Sequence, residues 1–154
     1  MTVTPAPITD LSLYIPDLKP KKKDAALAEM VARAHASGAV REPALLVELL
    51  RVREKIGVTA LGKGVAVPHA RSVTVMRPQL VVARALKGID WGAPDDVDVT
   101  LILLALSPAE WSGEAHHAFL GRAVAAARLQ KNRQKLLAAS TLDDLTTVLR
   151  EAGA

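Results

Sequence analysis

The sequence predicts an α/β fold, one sheet with helices packed on its faces, and three observations point to it. Aliphatic runs of strand length alternate along the chain with longer segments whose apolar residues recur at helical spacing. Half of the 154 residues are hydrophobic and 23% are charged, enough to bury a core and too apolar for disorder. The run 97–106 is nearly continuous aliphatic sequence, as in a central strand covered on both faces.

Residues 8–15 read as a short half-buried strand, with Leu11, Leu13 and Ile15 at alternate positions and Pro16 closing it. Leu27, Met30, Val31 and Ala34 fall at i, i+3, i+4 and i+7, which predicts an amphipathic helix stopped by Gly38. A second helix begins near Pro43, since proline suits a first helical position. Its stripe of Leu46, Leu49 and Leu50 ends on Arg53, a charge closing an apolar face. The glycine-rich stretch 57–64 reads as a loop, and 65–67 as a short buried strand halted by Pro68. Residues 80–86 form a strand interrupted by Arg84, and 88–96 a turn rich in Gly, Pro and Asp before the strand 97–106. A long helix follows over roughly 113–129, with His116, Phe119, Leu120, Ala123, Val124 and Ala127 on one stripe. Ser140 and Asp143 supply a capping box for a last helix running to about Glu151.

Composition excludes several function classes. The chain has no cysteine, so disulfides, thiolate zinc sites, iron–sulfur clusters and cysteine nucleophiles are out. Aromatic residues are only 3%, too few for base-stacking platforms. The longest apolar run is too short to cross a bilayer and contains Asp98 and Thr100. The first residues carry neither a basic nor an apolar targeting region, so a cytoplasmic protein that is not membrane-inserted is expected. The net charge of +4 reflects 20 basic against 16 acidic residues. Lys19, Lys21, Lys22 and Lys23 cluster, yet Asp24 and Glu29 follow them, which suits a solvated helix start better than a nucleic-acid surface. A modest positive field equally suits an acidic or phosphorylated partner.

Among chemical signatures, the serine-hydrolase elbow, the nucleotide P-loop and the dinucleotide fingerprint are all missing, and a strand rather than a helix follows Gly62-Lys63-Gly64. Asp95-Asp96 and Asp143-Asp144 fall in a turn and at a helix start. Of the four histidines, His35 sits near a helix C-terminus, where it favours the dipole. His69 directly follows a buried strand, where open α/β sheets bind ligands, although a loop histidine without a task fits that position as well. His116 and His117 point about 100° apart, His116 inward and His117 toward solvent or a partner. A histidine-only zinc site would need three or more convergent rings, so no metal is expected.

The segment from Arg53-Glu54 through Gly57-Val58-Thr59 and Gly62-Lys63-Gly64 to Val65-Ala66-Val67-Pro68-His69 resembles the signature of a known family. It is similar to the EIIA domains of the fructose/mannitol class in the bacterial phosphoenolpyruvate-dependent sugar phosphotransferase system, including their nitrogen-related regulatory branch. The likeness covers nearly the whole chain. It implies a single domain over 1–154, with its core at about 8–151: a central mixed β-sheet flanked by helices, the phosphotransferase/anion-transport-protein fold. It also implies a phosphocarrier, a phosphotransferase component without a small-molecule cofactor. By the resemblance, His69 is the phosphoryl acceptor, Arg53 the arginine before the glycine loop and His116 the second active-site histidine. Thr59 and Gly64 would belong to the phosphoryl-binding loop. The implied donor is HPr or an HPr-like phosphocarrier, and the acceptor an EIIB domain. Alternatively, a free-standing regulatory EIIA would bind target proteins according to its phosphorylation state. The chain departs from the family pattern at Ala70, where many members have glycine, and at His117, where many have an aliphatic residue. Both departures bear on partner choice. A neutral imidazole, with its usual pKa near ~6.5, has a lone pair to attack phosphorus at physiological pH.

Overall fold

A computed structural model describes residues 8–153. Its axis is a strand buried on both faces, β6 (Val99–Pro108). Around it lie β1 (Ser12–Ile15), β2 (Ala60–Gly62), β3 (Val65–Ala66), β4 (His69–Ser72) and β5 (Gln79–Ile89). The helices are α1 (Lys23–Ala36), α2 (Pro43–Ile56), α3 (Gly113–Arg128), α4 (Gln130–Ala138) and α5 (Leu142–Glu151). The sheet runs β1-β5-β6-β3-β2, with β4 also paired to β6. It is mixed: β5 meets β6 antiparallel, while β3 and β4 lie parallel to β6 and β1 parallel to β5.

Alternation along the two long strands divides the apolar residues between two cores. Val81, Ala83, Ile102 and Leu104 pack with Leu27 and Met30 of α1 and Leu46 and Leu50 of α2. Leu80, Val82, Leu101 and Leu103 pack with Phe119 of α3, Leu136 of α4 and Leu145 of α5. The aliphatic run predicted as a doubly covered strand is therefore β6, and the predicted α/β class with helices on both faces holds. Among the described residues, no helix is long and apolar enough to cross a membrane.

Local chemistry explains most boundaries. Gly38 takes a left-handed φ of 86° just past α1, and its N–H bonds the His35 carbonyl. His35 donates from Nδ1 to the Val40 carbonyl at 2.9 Å, beyond the end of the helix. Pro43 sits in the first turn of α2. Ser112 caps α3, its Oγ accepting from the Ala115 N–H at 3.0 Å.

Several expectations need correcting. Only Ser12–Ile15 pairs as a strand; Ile8–Leu11 is a 3-10 turn. The capping residue of α5 is Thr141, whose hydroxyl accepts from the Asp144 N–H at 3.1 Å, one position after the expected Ser140. The helix expected over roughly 113–129 is α3, but a separate α4 that was not expected follows the extended Leu129. The loop 57–64 contains β2, because a tight hairpin turns it back onto β3. Pro68 interrupts the strand 65–67 without ending it. It lacks an N–H, yet its carbonyl still accepts from the Ala105 N–H at 3.0 Å, and pairing resumes at His69. Leu49 is 44% exposed, off the buried stripe of Leu46 and Leu50. Finally, Lys23 leaves the solvated lysine cluster to pair with buried Glu54 at 3.2 Å.

Candidate functional site

The site stands where the interrupted strand resumes. In β4, His69 pairs with Ala105 of β6 and Arg71 with Ser107. Alternation turns Ala70 toward the α1/α2 core and His69 and Arg71 toward the α3 side. His116 lies one turn beyond the Ser112 cap and is only 5% exposed, so it faces the sheet as its stripe predicts. His69 Nδ1 lies 3.1 Å from His116 Nε2, and His116 Nδ1 lies 2.8 Å from the Ser107 hydroxyl. The rings of the two histidines are 5.3 Å apart and tilted by 41°. His117 is exposed, as expected, with its ring 6.0 Å from that of His116.

Proton bookkeeping allows this chain two directions, with different consequences for His69. When His116 donates its Nδ1–H to Ser107, its Nε2 lone pair accepts the Nδ1–H of His69. The lone pair of His69 then sits on Nε2. Among the described residues, that Nε2 has no hydrogen-bond partner, and no buried side-chain nitrogen or oxygen lacks one, so Nε2 is open to solvent. The opposite proton arrangement would place a hydrogen there and leave no nucleophile.

Both imidazoles are held neutral. Burial pushes His116 down to about 4, and the neighbouring His69, His117 and Arg71 push the same way. Burial also holds His69 below the usual histidine range, helped by the neighbouring Arg53 and His117 and opposed by Glu54. Arg53, in the last turn of α2, donates from Nη1 to the Gly57 carbonyl at 2.8 Å, which fixes the guanidinium at the start of the glycine loop. Arg71 is tethered to the Ala109 and Trp111 carbonyls at 3.3 and 2.7 Å. Electrically, Arg53 acts on the His69 ring and Arg71 on that of His116, with Glu54 opposing at His69.

The structure thus brings His69, His116 and the charge of Arg53 together, but not Thr59 or Gly64. Thr59 is buried: its hydroxyl donates to Glu54 and accepts from Trp91 Nε1 at 3.3 Å, and its N–H donates to Glu54 at 3.3 Å. Its polar atoms serve a buried network that holds the loop, so none is turned to a ligand. Gly64 lies in the β2–β3 turn, its carbonyl accepting from Thr100 and Leu101, whereas His69 is level with Ala105. That offset along β6 is roughly 15 Å at ~3.3 Å per residue.

Ser107, Arg71 and Glu54 were missed as site residues. Two of them carried a signal. Ser107 is the polar residue closing an aliphatic run, and Arg71 is two positions from His69, hence on the same strand face. Glu54 carried only its place beside Arg53 in the family signature, since a glutamate in a helix otherwise reads as exposed. Among the described residues, no group of three His, Asp or Glu is placed to hold a metal ion.

A mixed sheet between two helical layers, presenting an open imidazole amid fixed cations, is the layout of a domain that handles an anionic group. Residues 8–152 match the family "Phosphoenolpyruvate-dependent sugar phosphotransferase system, EIIA 2", and the chain belongs to that family. It is 31% identical over 144 residues to the fructose-specific EIIA component of Haloferax volcanii, covering 94% of this chain and 93% of that one. It is 36% identical over 146 residues to a nitrogen regulatory protein of Bradyrhizobium diazoefficiens, covering 93% and 94% respectively. The crystal structure of nitrogen regulatory protein IIA-Ntr from Neisseria meningitidis superposes with a TM-score of 0.83 at 26% identity, over 92% of this chain and 98% of that one.

Proposed function

We propose that this chain is a phosphocarrier in which His69 Nε2 accepts a phosphoryl group from a phosphorylated HPr-like protein and passes it to an EIIB domain. The observation that supports this reading is the His69–His116–Ser107 chain, in which the arrangement with His116 donating to Ser107 leaves the His69 lone pair outward on Nε2. In the step, the nitrogen–phosphorus bond of the donor's phosphohistidine breaks as the His69 Nε2–phosphorus bond forms, in line. The donor ring leaves with its electron pair. The positive charge that develops on the His69 ring is shared through Nδ1–H with the neutral His116. Phosphoryl transfer asks mainly for positioning and for stabilisation of charge on the equatorial oxygens. Arg53 suits that stabilisation, since its planar fork can engage two oxygens at once. No metal or organic cofactor enters, because the group arrives on another protein. We place this exchange in the cytoplasm.

A protein donor needs a docking surface. Leu45, Leu49, Val52 and Ile56 repeat at helical spacing along α2 and are 44–80% exposed. The stripe flanks Arg53 and so runs up to the site.

The test is to incubate the chain with phosphoenolpyruvate, the general phosphotransferase enzyme and HPr, and to map the label. An acid-labile, base-stable label on His69 is expected, absent from His69→Ala. No label on the wild type, or full label on the variant, defeats the reading.

One observation favours a regulatory use of the same site, the 36% identity to a nitrogen regulatory protein. There the phosphoryl group would set affinity for a target protein instead of moving on to EIIB. Capture of a target that differs between His69→Glu and His69→Ala would select this reading, whereas rapid transfer to an EIIB domain would select the carrier.

A further inference from the structure

The Gly62-Lys63-Gly64 turn is left without a task at His69, but it borders a cleft of its own. Two adjoining openings, about 370 and 170 Å³, lie between the β2–β3 edge of the sheet and the α3–α4 junction, and both are lined by Lys63, Val65 and Arg133. We infer that this cleft binds a small organic anion: an aromatic or branched-aliphatic group bearing a phosphate or carboxylate.

The floor is apolar. Val65, Leu101 and Leu137 line the larger opening, whose size falls at the lower end of ordinary ligand pockets. The charges are all of one sign. Neither opening has an aspartate or glutamate in its wall, while Lys63 and Arg133 line both and Arg128 the smaller. Arg133 is half-buried and already oriented, its Nη1 donating to the Ala127 and Arg128 carbonyls at 3.2 and 2.7 Å. Those bonds cap the end of α3. They leave the rest of the guanidinium fork to a ligand. Among the described residues, no carboxylate lies within ion-pair distance of Arg133 or Lys63. Asp95, whose charge is felt by Lys63, spends its oxygens on the N–H groups of Lys63 and Val97.

Lys63 itself is the unusual choice. Its φ is +60°, between Gly62 at 89° and Gly64 at 79°, and hairpin turns of that hand ordinarily take Asn, Asp or Gly. A lysine held in the left-handed region at the mouth of a cationic cleft has a use beyond the turn. The cleft is roughly 15 Å along β6 from His69, so this inference stands apart from the phosphocarrier reading.

The probe is phenyl phosphate, titrated into the ¹⁵N-labelled chain, with inorganic phosphate and benzyl alcohol as its charge-only and body-only counterparts. The amides of Val65, Leu101 and Leu137 are expected to shift saturably with phenyl phosphate, with affinity at least tenfold above either counterpart. Lys63→Gly, which accepts the same φ without strain, should weaken binding at least tenfold while the unfolding midpoint does not fall. His69→Ala should leave the response intact. Shifts confined to His69 and His116, benzyl alcohol binding as tightly as phenyl phosphate, or unchanged affinity in Lys63→Gly would each overturn the inference.

Discussion

At the scale of single residues, Ser107 is the side chain whose loss should separate structure from chemistry. It is fully buried and is the partner of His116 Nδ1. Ser107→Ala leaves that nitrogen unpaired, costing about 1–3 kcal/mol of stability. It also removes the contact that holds the His116 ring in place against His69. The expected outcome is slower phosphorylation of a protein that is still folded, measured as label incorporation beside the thermal midpoint. A normal rate would show that His116 orients His69 without Ser107. Arg53 makes the complementary prediction. Removing a positioned donor typically costs on the order of 10²–10³ in rate, so Arg53→Ala should fall in that range. Arg53→Lys should also slow transfer, because an ammonium cannot reproduce the planar fork. A lysine variant with wild-type rate would mean that charge alone suffices. As a candidate, His69 is legible from its place after a buried strand, while the stripe of His116 and the odd terminal charge of Arg53 gain a role only through the family resemblance. Thr59 and Gly64 are expected at the site through the family resemblance alone. Only the hairpin register and the buried Glu54 reveal that one of them packs the core and the other sits far along β6.

At the scale of elements, α2 carries two apolar faces. Leu46 and Leu50 are buried against the sheet, while Leu45, Leu49, Val52 and Ile56 face outward. The outward face contributes little to folding, so a charge there should be tolerated. Leu49→Asp combined with Val52→Asp is expected to raise the KM for phosphorylated HPr about tenfold or more and to move the unfolding midpoint by only ~1–2 °C. Phosphorylation by a small donor such as phosphoramidate should be unaffected. Equal loss with both donors would assign the stripe to the architecture of the site. Elements are legible to different degrees for physical reasons. Long periodic segments such as α1, α2 and β6 announce themselves. The break at Leu129 does not, since α4 has few apolar residues of its own and its start depends on packing against α3 and β6. β4 is invisible in sequence because His-Ala-Arg-Ser has no strand pattern; its pairing is supplied by β6.

At the scale of the whole molecule, the two depressed histidines link stability to pH. Both have folded values below the ~6.5 of an unfolded chain, His116 reaching about 4. Between those limits the unfolded chain binds more protons than the folded one, so stability is complete above pH ~6.5 and declines as pH falls toward 4. Thermal midpoints at pH 7 and pH 5 should therefore differ, and the difference should shrink in His116→Asn. An equal drop in the variant would assign the loss to other groups.

The double pairing of β6 also sets an order of events during synthesis. β3 and β4 precede β6 in the chain but find their only long partner in it, and His69 meets Ser107 and His116 only after β6 and α3 have been made. At about 5–20 residues per second, the ribosome needs roughly 3–12 s to travel from His69 to the end of α3. For that interval His69 is an ordinary imidazole, ionising near its unfolded value. A nascent chain thus carries His69 without its His116 contact until its second half has folded around β6.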